Sequence, residues 1–260
     1  MVGTYFTDFA LSIPRRELTF LTNSPAEVQR HLNLFDERQS VNEYRVLLEK
    51  ALSILPVLSQ DPRLVDESGA VLWHTDLHLG NIFVSPDDPT TIEAIIDWQS
   101  SQVAPLFIQA RFPDFLAPPK GYNPGTEVPS LPENFDELSP EQQDQAIRDK
   151  ELAARSKYYE MATLAYNKHV YGAMKLNRRL WEPFTCCQLF SNGSMVPLRN
   201  CLIRISQDWT SLGLPGTCPF AFTRQELEEH DKQVIQYKDR IYLWDLAKSQ
   251  LCTEKCRHPF

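Results

Sequence analysis

The stretch His74-Thr75-Asp76-Leu77-His78-Leu79-Gly80-Asn81-Ile82-Phe83, followed by Ile95-Ile96-Asp97-Trp98-Gln99, constrains this chain more than any other feature. Val71-Leu72-Trp73-His74 reads as a short buried strand. Ile82-Phe83-Val84 and Ile92-Glu93-Ala94-Ile95-Ile96 read as two more. Ser85-Pro86-Asp87-Asp88-Pro89 between the last two is built of the residues that turns favour. Asp76 and Asn81 therefore fall in a loop between apolar strands, and Asp97 falls at the end of the next strand. A hairpin brings such ends together, so the three are expected to converge. Two carboxylates and an amide oxygen form a hard-oxygen set suited to Mg²⁺. Phosphoryl transfer uses such a set: a base to orient the attacking hydroxyl, and ligands for metal on the phosphates.

Taken singly, these residues say little. An isolated His-x-Asp is unremarkable chemistry, and Asp97 alone reads as a strand-end cap. A competing reading takes His74, Asp76 and His78, at alternating positions, as the ligands of a metallohydrolase. His31, His169, His230 and His258 remain to complete that set, and none lies in a recognisable partner motif.

His-x-Asp followed five residues later by Asn, then a strand and an Asp, resembles the catalytic and metal loops of the protein-kinase fold. The variant His74-x-Asp76-Leu77-His78-x-x-Asn81-Ile82 with Ile96-Asp97-Trp98 is similar to the aminoglycoside phosphotransferase and choline-kinase branch of that fold. Asp97-Trp98-Gln99 with Pro105-Leu106-Phe107 also resembles a fungal group of phosphotransferase-like proteins named for altered inheritance of mitochondria. The resemblance implies an α+β, mainly α fold: the C-terminal lobe of the kinase-like fold, with a small β-hairpin at the catalytic loop. It implies Asp76 as catalytic base and Asn81 and Asp97 as Mg²⁺ ligands. It casts His74 and Trp98 as packed supports, and His78 either as a neighbour of the phosphates or as a support of the loop. The implied reaction is transfer of the ATP γ-phosphate to a hydroxyl of a small molecule. Through the fungal group alone the implied location is mitochondrial; otherwise the chain is expected to be intracellular and cytoplasmic.

That fold also uses an N-terminal lobe with a strand Lys and a loop over the phosphates. Here Lys50 is the first lysine and sits inside an amphipathic helical run, and Gly3 and Gly69 are the only glycines before Gly80. Gly3-Thr4-Tyr5 resembles the segment just past the hinge. The chain is therefore expected to be a single C-terminal lobe over residues 1–260, without its ATP-binding lobe and inactive when isolated. A truncated reading of a longer enzyme, a natural lobe with a binding or scaffolding role, and a lobe completed by another chain all fit.

Helix starts are legible from capping chemistry. Ser24-Pro25-Ala26-Glu27, Ser40-Val41-Asn42-Glu43, Ser139-Pro140-Glu141-Gln142 and Thr223-Arg224-Gln225-Glu226 each have the form of a capping box. The second opens an amphipathic run with Val41, Tyr44, Leu47, Leu48, Ala51, Leu52 and Leu55 at helical spacing. The third is expected to run to about Leu176 and the fourth to about Gln250. An irregular Pro-rich loop is expected at about 117–136.

Net charge is −8, which argues against nucleic acid as a partner, because phosphate backbones demand clustered Lys and Arg. No run approaches the ~20 apolar residues of a membrane span. Met1 to Leu21 contains Asp8, Arg15, Arg16 and Glu17, unlike a signal peptide. The six cysteines are then expected as reduced thiols. Cys186-Cys187 reads as small buried hydrophobes, while Cys252, Cys256 and His258 form a loose zinc-like cluster short of four ligands.

Overall fold

Apolar residues at helical spacing build the first three helices: α1 (Val2–Asn23), α2 (Pro25–Phe35) and α3 (Val41–Leu58). The computed structural model describes residues 2–36, 38–188 and 193–251. Two compact units emerge, Met1–Asp61 with Asn177–Phe260, and Pro62–Leu176. In the first unit α3 buries Tyr44, Leu47, Leu48, Ala51, Ile54, Leu55 and Leu58 and packs against α1. Ser40 caps it, accepting the Glu43 amide at 3.2 Å. Ser24 does begin α2, but its hydroxyl makes no capping hydrogen bond. It follows α1 directly, with ψ of 52° rather than extended, so that capping box is not formed. The helix α1 has no capping box in its sequence and carries Pro14 in its interior, at the cost of one i→i−4 bond. Leu48 is wholly buried. Leu48→Ala is expected to cost about 2–5 kcal/mol, read as a lower urea midpoint with an unchanged slope.

The second unit begins with α4 (Pro62–Val65) and holds two small antiparallel sheets. One pairs β1 (Ala70–Trp73) with β4 (Gln102–Pro105); the other pairs β2 (Ile82–Val84) with β3 (Ile92–Ile95). Asp88 ties the β2–β3 turn by accepting from the Thr90 and Thr91 hydroxyls at 2.6 and 2.7 Å. The strand β1 is only half buried, contrary to the sequence expectation. Leu72 and Val103 face each other across the β1–β4 pair and are 60% and 66% exposed. A two-stranded sheet has two faces, and only one of them is covered here. The chain continues through α5 (Leu106–Gln109) into residues 117–134, which carry neither helix nor strand. Then Ser139, with Gln142 reciprocating, caps α6 (Pro140–Tyr166). The expected run to Leu176 is broken at Asn167. Its φ of −147° leaves the helix, and its side chain accepts the Val170 amide at 3.2 Å to start α7 (Lys168–Lys175).

Back in the first unit, α8 (Arg178–Trp181), α9 (Val196–Asp208) and α10 (Arg224–Leu251) complete the described elements. The α9 helix buries Leu198, Cys201, Leu202 and Ile205. Its buried Arg199 bonds Glu43 and Gln233. Thr223 and Glu226 cap α10 reciprocally. Among the described residues, no helix is long and apolar enough to cross a membrane. Cys252, Cys256 and His258 lie outside the described residues.

Candidate active site

The site is built from the segment linking β1 to β2 and the segment leaving β3, all within the second unit. After β1 the chain turns through Asp76 and Leu77 into a single 3₁₀ turn, Leu79–Asn81. His78 caps that turn: its Nδ1 accepts the Gly80 amide at 3.1 Å. A Cβ on residue 80 would lie 3.0 Å from the His78 ring, so glycine is what lets the imidazole fold over the turn. The geometry of His78 is thus that of a loop support.

Asn81 is the hub. It is 5% exposed. Its side-chain Nδ2 donates to the Asp76 carbonyl at 3.0 Å, which fixes the bend carrying Asp76. Its own carbonyl accepts the Ile96 amide at 3.0 Å. The carbonyl of Ile96 in turn accepts from His74 Nε2 at 2.8 Å. Ile96 is therefore clamped on both sides, by the residue before the Asp76 bend and by the residue at its end. Directly after it, Asp97 takes φ 65°, ψ 48° and is the only non-glycine residue with positive φ among the described residues. Asp tolerates this left-handed conformation better than most residues, and such conformations persist where the surroundings over-determine them. Trp98 follows, its indole nitrogen donating to the Ile95 carbonyl at 2.8 Å. The Trp98 ring meets His74 edge-on at 4.9 Å.

The structure thus joins Asp76 to Asn81 directly, and Asn81 to the residue preceding Asp97. Asp76 is exposed and Asp97 half-buried. The Asn81 Nδ2 is turned to the Asp76 carbonyl, which leaves its Oδ1 as the acceptor of that amide. Three residues that the sequence did not mark complete the pocket. Arg111 donates to the Thr75 carbonyl at 3.3 Å. Phe112 and Tyr159 pack ring to ring at 5.4 Å, and burial pushes the Tyr159 hydroxyl up from its ordinary pKa. Together with Asp76, His78 and Trp98 they line a cavity of about 260 Å³. They come from the segment after α5 and from α6, so no local pattern could have found them.

The metallohydrolase set does not assemble. Among the described residues no three His, Cys, Asp or Glu side chains gather to hold a metal.

Residues 10–108 match the family described as the phosphotransferase enzyme family, and the match contains the whole loop from His74 to Trp98. Two curated relatives, subtelomeric hrmA-associated cluster proteins from two strains of Aspergillus fumigatus, are each 28% identical over 233 residues. That alignment covers 87% of this chain and 45% of each relative, so the chain spans a little under half the length of the curated relatives it matches. No solved structure shows a significant match.

Proposed function

We propose, from the match of residues 10–108 to the phosphotransferase enzyme family, that the chain acts in Mg-ATP-dependent phosphorylation of a hydroxyl on a small molecule. Asp76 is the base for the attacking hydroxyl, and Asn81 and Asp97 are the metal ligands. The observation that carries this reading is Asn81, which ties the Asp76 bend and the strand leading to Asp97 with one side chain and one carbonyl.

The donor set fits Mg²⁺. Both carboxylates are free of hydrogen bonds and ion pairs among the described residues, and the Asn81 amide uses its nitrogen, not its oxygen, on the Asp76 carbonyl. Three hard oxygens, with water and phosphate completing the shell, would suit that ion. Bound there, it supplies charge neutralisation along the phosphates. The protein's own part is positional. Asn81 and His74 hold Ile96, so Asp97 is fixed relative to the Asp76 bend before any ligand arrives. Trp98 braces His74.

In this reading the chain is the C-terminal lobe of a protein-kinase-like fold. Two observations support it. The sheets by the site present Leu72, Phe83, Ile92 and Val103 to the outside, each at least 51% exposed, as the face of an interface would. Among the described residues, Arg111 is the one Lys or Arg lining the cavity, and a second lobe, in the same polypeptide or another, would supply further cations to the α- and β-phosphates. Losing several charged contacts of ~1.5–3 kcal/mol each weakens nucleotide binding by orders of magnitude. Residues 1–260 alone are therefore expected to show no calorimetric Mg-ATP binding below about millimolar and no ATP turnover.

The test of the reading uses the complete natural polypeptide with ATP, Mg²⁺ and a panel of hydroxyl-bearing metabolites. Phosphate transfer is expected. Asp97→Asn should raise the Mg²⁺ needed for half-maximal rate about tenfold or more. Transfer with an unchanged Mg²⁺ requirement in Asp97→Asn would remove Asp97 from the metal site.

A further inference from the structure

We propose that the cavity lined by α2, the α2–α3 connection and α10 binds a small oxyanionic metabolite, one that carries a phosphate or a carboxylate group. The site lies wholly in the first unit and does not depend on the phosphotransfer reading. Its volume is about 580 Å³, within the range of small-molecule pockets. On α10, Gln233, Gln236, Tyr237 and Arg240 fall at i, i+3, i+4 and i+7 and so share one face. Asn33 from α2, and Arg38 and Gln39 from the connection to α3, line the same cavity.

Four amide side chains line the cavity, and each has its oxygen held by a donor. Gln39 Oε1 accepts the Met195 amide at 2.9 Å. Gln233 Oε1 accepts from the Arg199 guanidinium, and Gln236 Oε1 accepts from Arg38. A backbone N–H and a guanidinium only donate, so these three amides cannot be turned round. Asn33 Oδ1 accepts from Gln29 Nε2 at 2.8 Å. Gln29 is itself fixed, because its own oxygen accepts the Val41 amide at 3.1 Å. Four NH₂ groups are left as donors, and none meets an acceptor among the described residues. Gln39 is the sharpest case. It is 3% exposed, and its Nε2 is buried without a hydrogen-bond partner, a state that carries a desolvation penalty.

Charge points the same way. Among the described residues, Arg38 and Arg240 line the cavity with one carboxylate, Asp36, in a chain of net charge −8. Asp36 is already engaged by Arg38 at 2.8 Å, and Glu229 lies 3.8 Å from the same guanidinium. Arg240 donates to the Leu34 carbonyl at 3.3 Å. The lining thus has a surplus of donors and more cations than anions. A negatively charged group with several acceptor oxygens satisfies such a set, whereas a cation or a donor-rich ligand does not.

The experiment titrates the full chain by calorimetry with sodium phosphate and, separately, with sodium citrate, ionic strength being held constant with sodium chloride. At least one is expected to bind with a Kd of about 1 mM or tighter. Phosphate binding alone assigns a phosphoryl ligand, citrate binding alone a carboxylate ligand, and binding of both the shared oxyanion chemistry. Gln236→Glu and Asn33→Asp each keep the oxygen that accepts from Arg38 or Gln29 and put negative charge in place of the free NH₂. The fold should stand, and affinity should fall about tenfold or more. Arg15→Gln, at an exposed position of α1 outside the lining, makes the same change in net charge and should leave affinity within about twofold. Failure of both anions to bind the unsubstituted chain overturns the proposal. So does binding that Gln236→Glu and Asn33→Asp weaken no more than Arg15→Gln does.

Discussion

Asp76→Asn is expected to reduce phosphoryl transfer by the complete polypeptide by roughly 10²–10⁴-fold, the range that a positioned general base contributes. The fold around it should not change. What holds the bend is the Asp76 main-chain carbonyl, which accepts from Asn81 Nδ2, and that carbonyl survives the substitution. The Asp76 side chain is exposed and makes no hydrogen bond or ion pair among the described residues. Its replacement by an isosteric amide should move stability by no more than about 0.5 kcal/mol. Asn81→Ala is the informative contrast. It removes the proposed metal ligand and unties the bend together, so rate and thermal midpoint should both fall. Asp76→Asn falling in stability as far as Asn81→Ala would show a structural aspartate. Full activity in Asp76→Asn would remove it from the chemistry.

The part of the site that could be read from the sequence is the part made of contiguous residues. Turn formers at Ser85 to Pro89 separate β-branched runs, so β2 and β3 announce themselves, and His74 to Asn81 must then be the connection into them. Helix starts were legible where Ser or Thr precedes Pro or Glu, and α1 was not, because it has no such box and contains Pro14. What failed depended on distant partners. The β4 strand, with Pro105 at its end, gains strand geometry from pairing with β1 some thirty residues earlier. An apolar run such as Val71-Leu72-Trp73 looks the same whether one face or both are covered, so the exposure of Leu72 could not be foreseen. Asn167 ends α6 through one capping bond to Val170, a signal that a solvent-facing Asn inside a helix would have matched. Arg111, Phe112 and Tyr159 reach the site through tertiary packing alone.

The largest stability effect is expected far from any motif, at Glu160. The helix α6 buries Ser156, Lys157, Glu160 and Thr163, a polar face where apolar residues would be usual. Against that face lies the Pro-rich segment. Lys157 Nζ donates to the Asn123 and Gly125 carbonyls at 3.0 and 2.6 Å and to Glu160 at 2.9 Å. Glu160 accepts from the Tyr122 hydroxyl at 2.6 Å and the Gly125 amide at 2.7 Å. Gly125, at φ 126°, holds a conformation that a side chain would oppose. Every donor and acceptor thus has a counterpart, which is the condition for a buried ion pair to be tolerable. Glu160→Ala strands the Lys157 cation at 7% exposure, and should cost about 3–5 kcal/mol. The double variant Lys157→Met, Glu160→Leu should cost less than that single, because it leaves no charge buried. The pH dependence has a definite sign. Burial would raise the Glu160 pKa, but the bonds from Tyr122, Lys157 and Gly125 together hold it below 4.5. Its contribution is therefore present above about pH 4.5 and lost as pH falls through the lower folded value. Burial opposes the charge on Lys157, yet Glu160 and Tyr122 raise its pKa above 10.5, so its contribution is present below 10.5 and lost as pH rises through the higher folded value. Urea unfolding across pH should show a plateau between these limits for the natural chain. Glu160→Gln should lack the acid-side decline that Glu160 contributes. A Glu160→Ala cost under about 1 kcal/mol, or a double variant less stable than that single, would show that the pair does not anchor the segment.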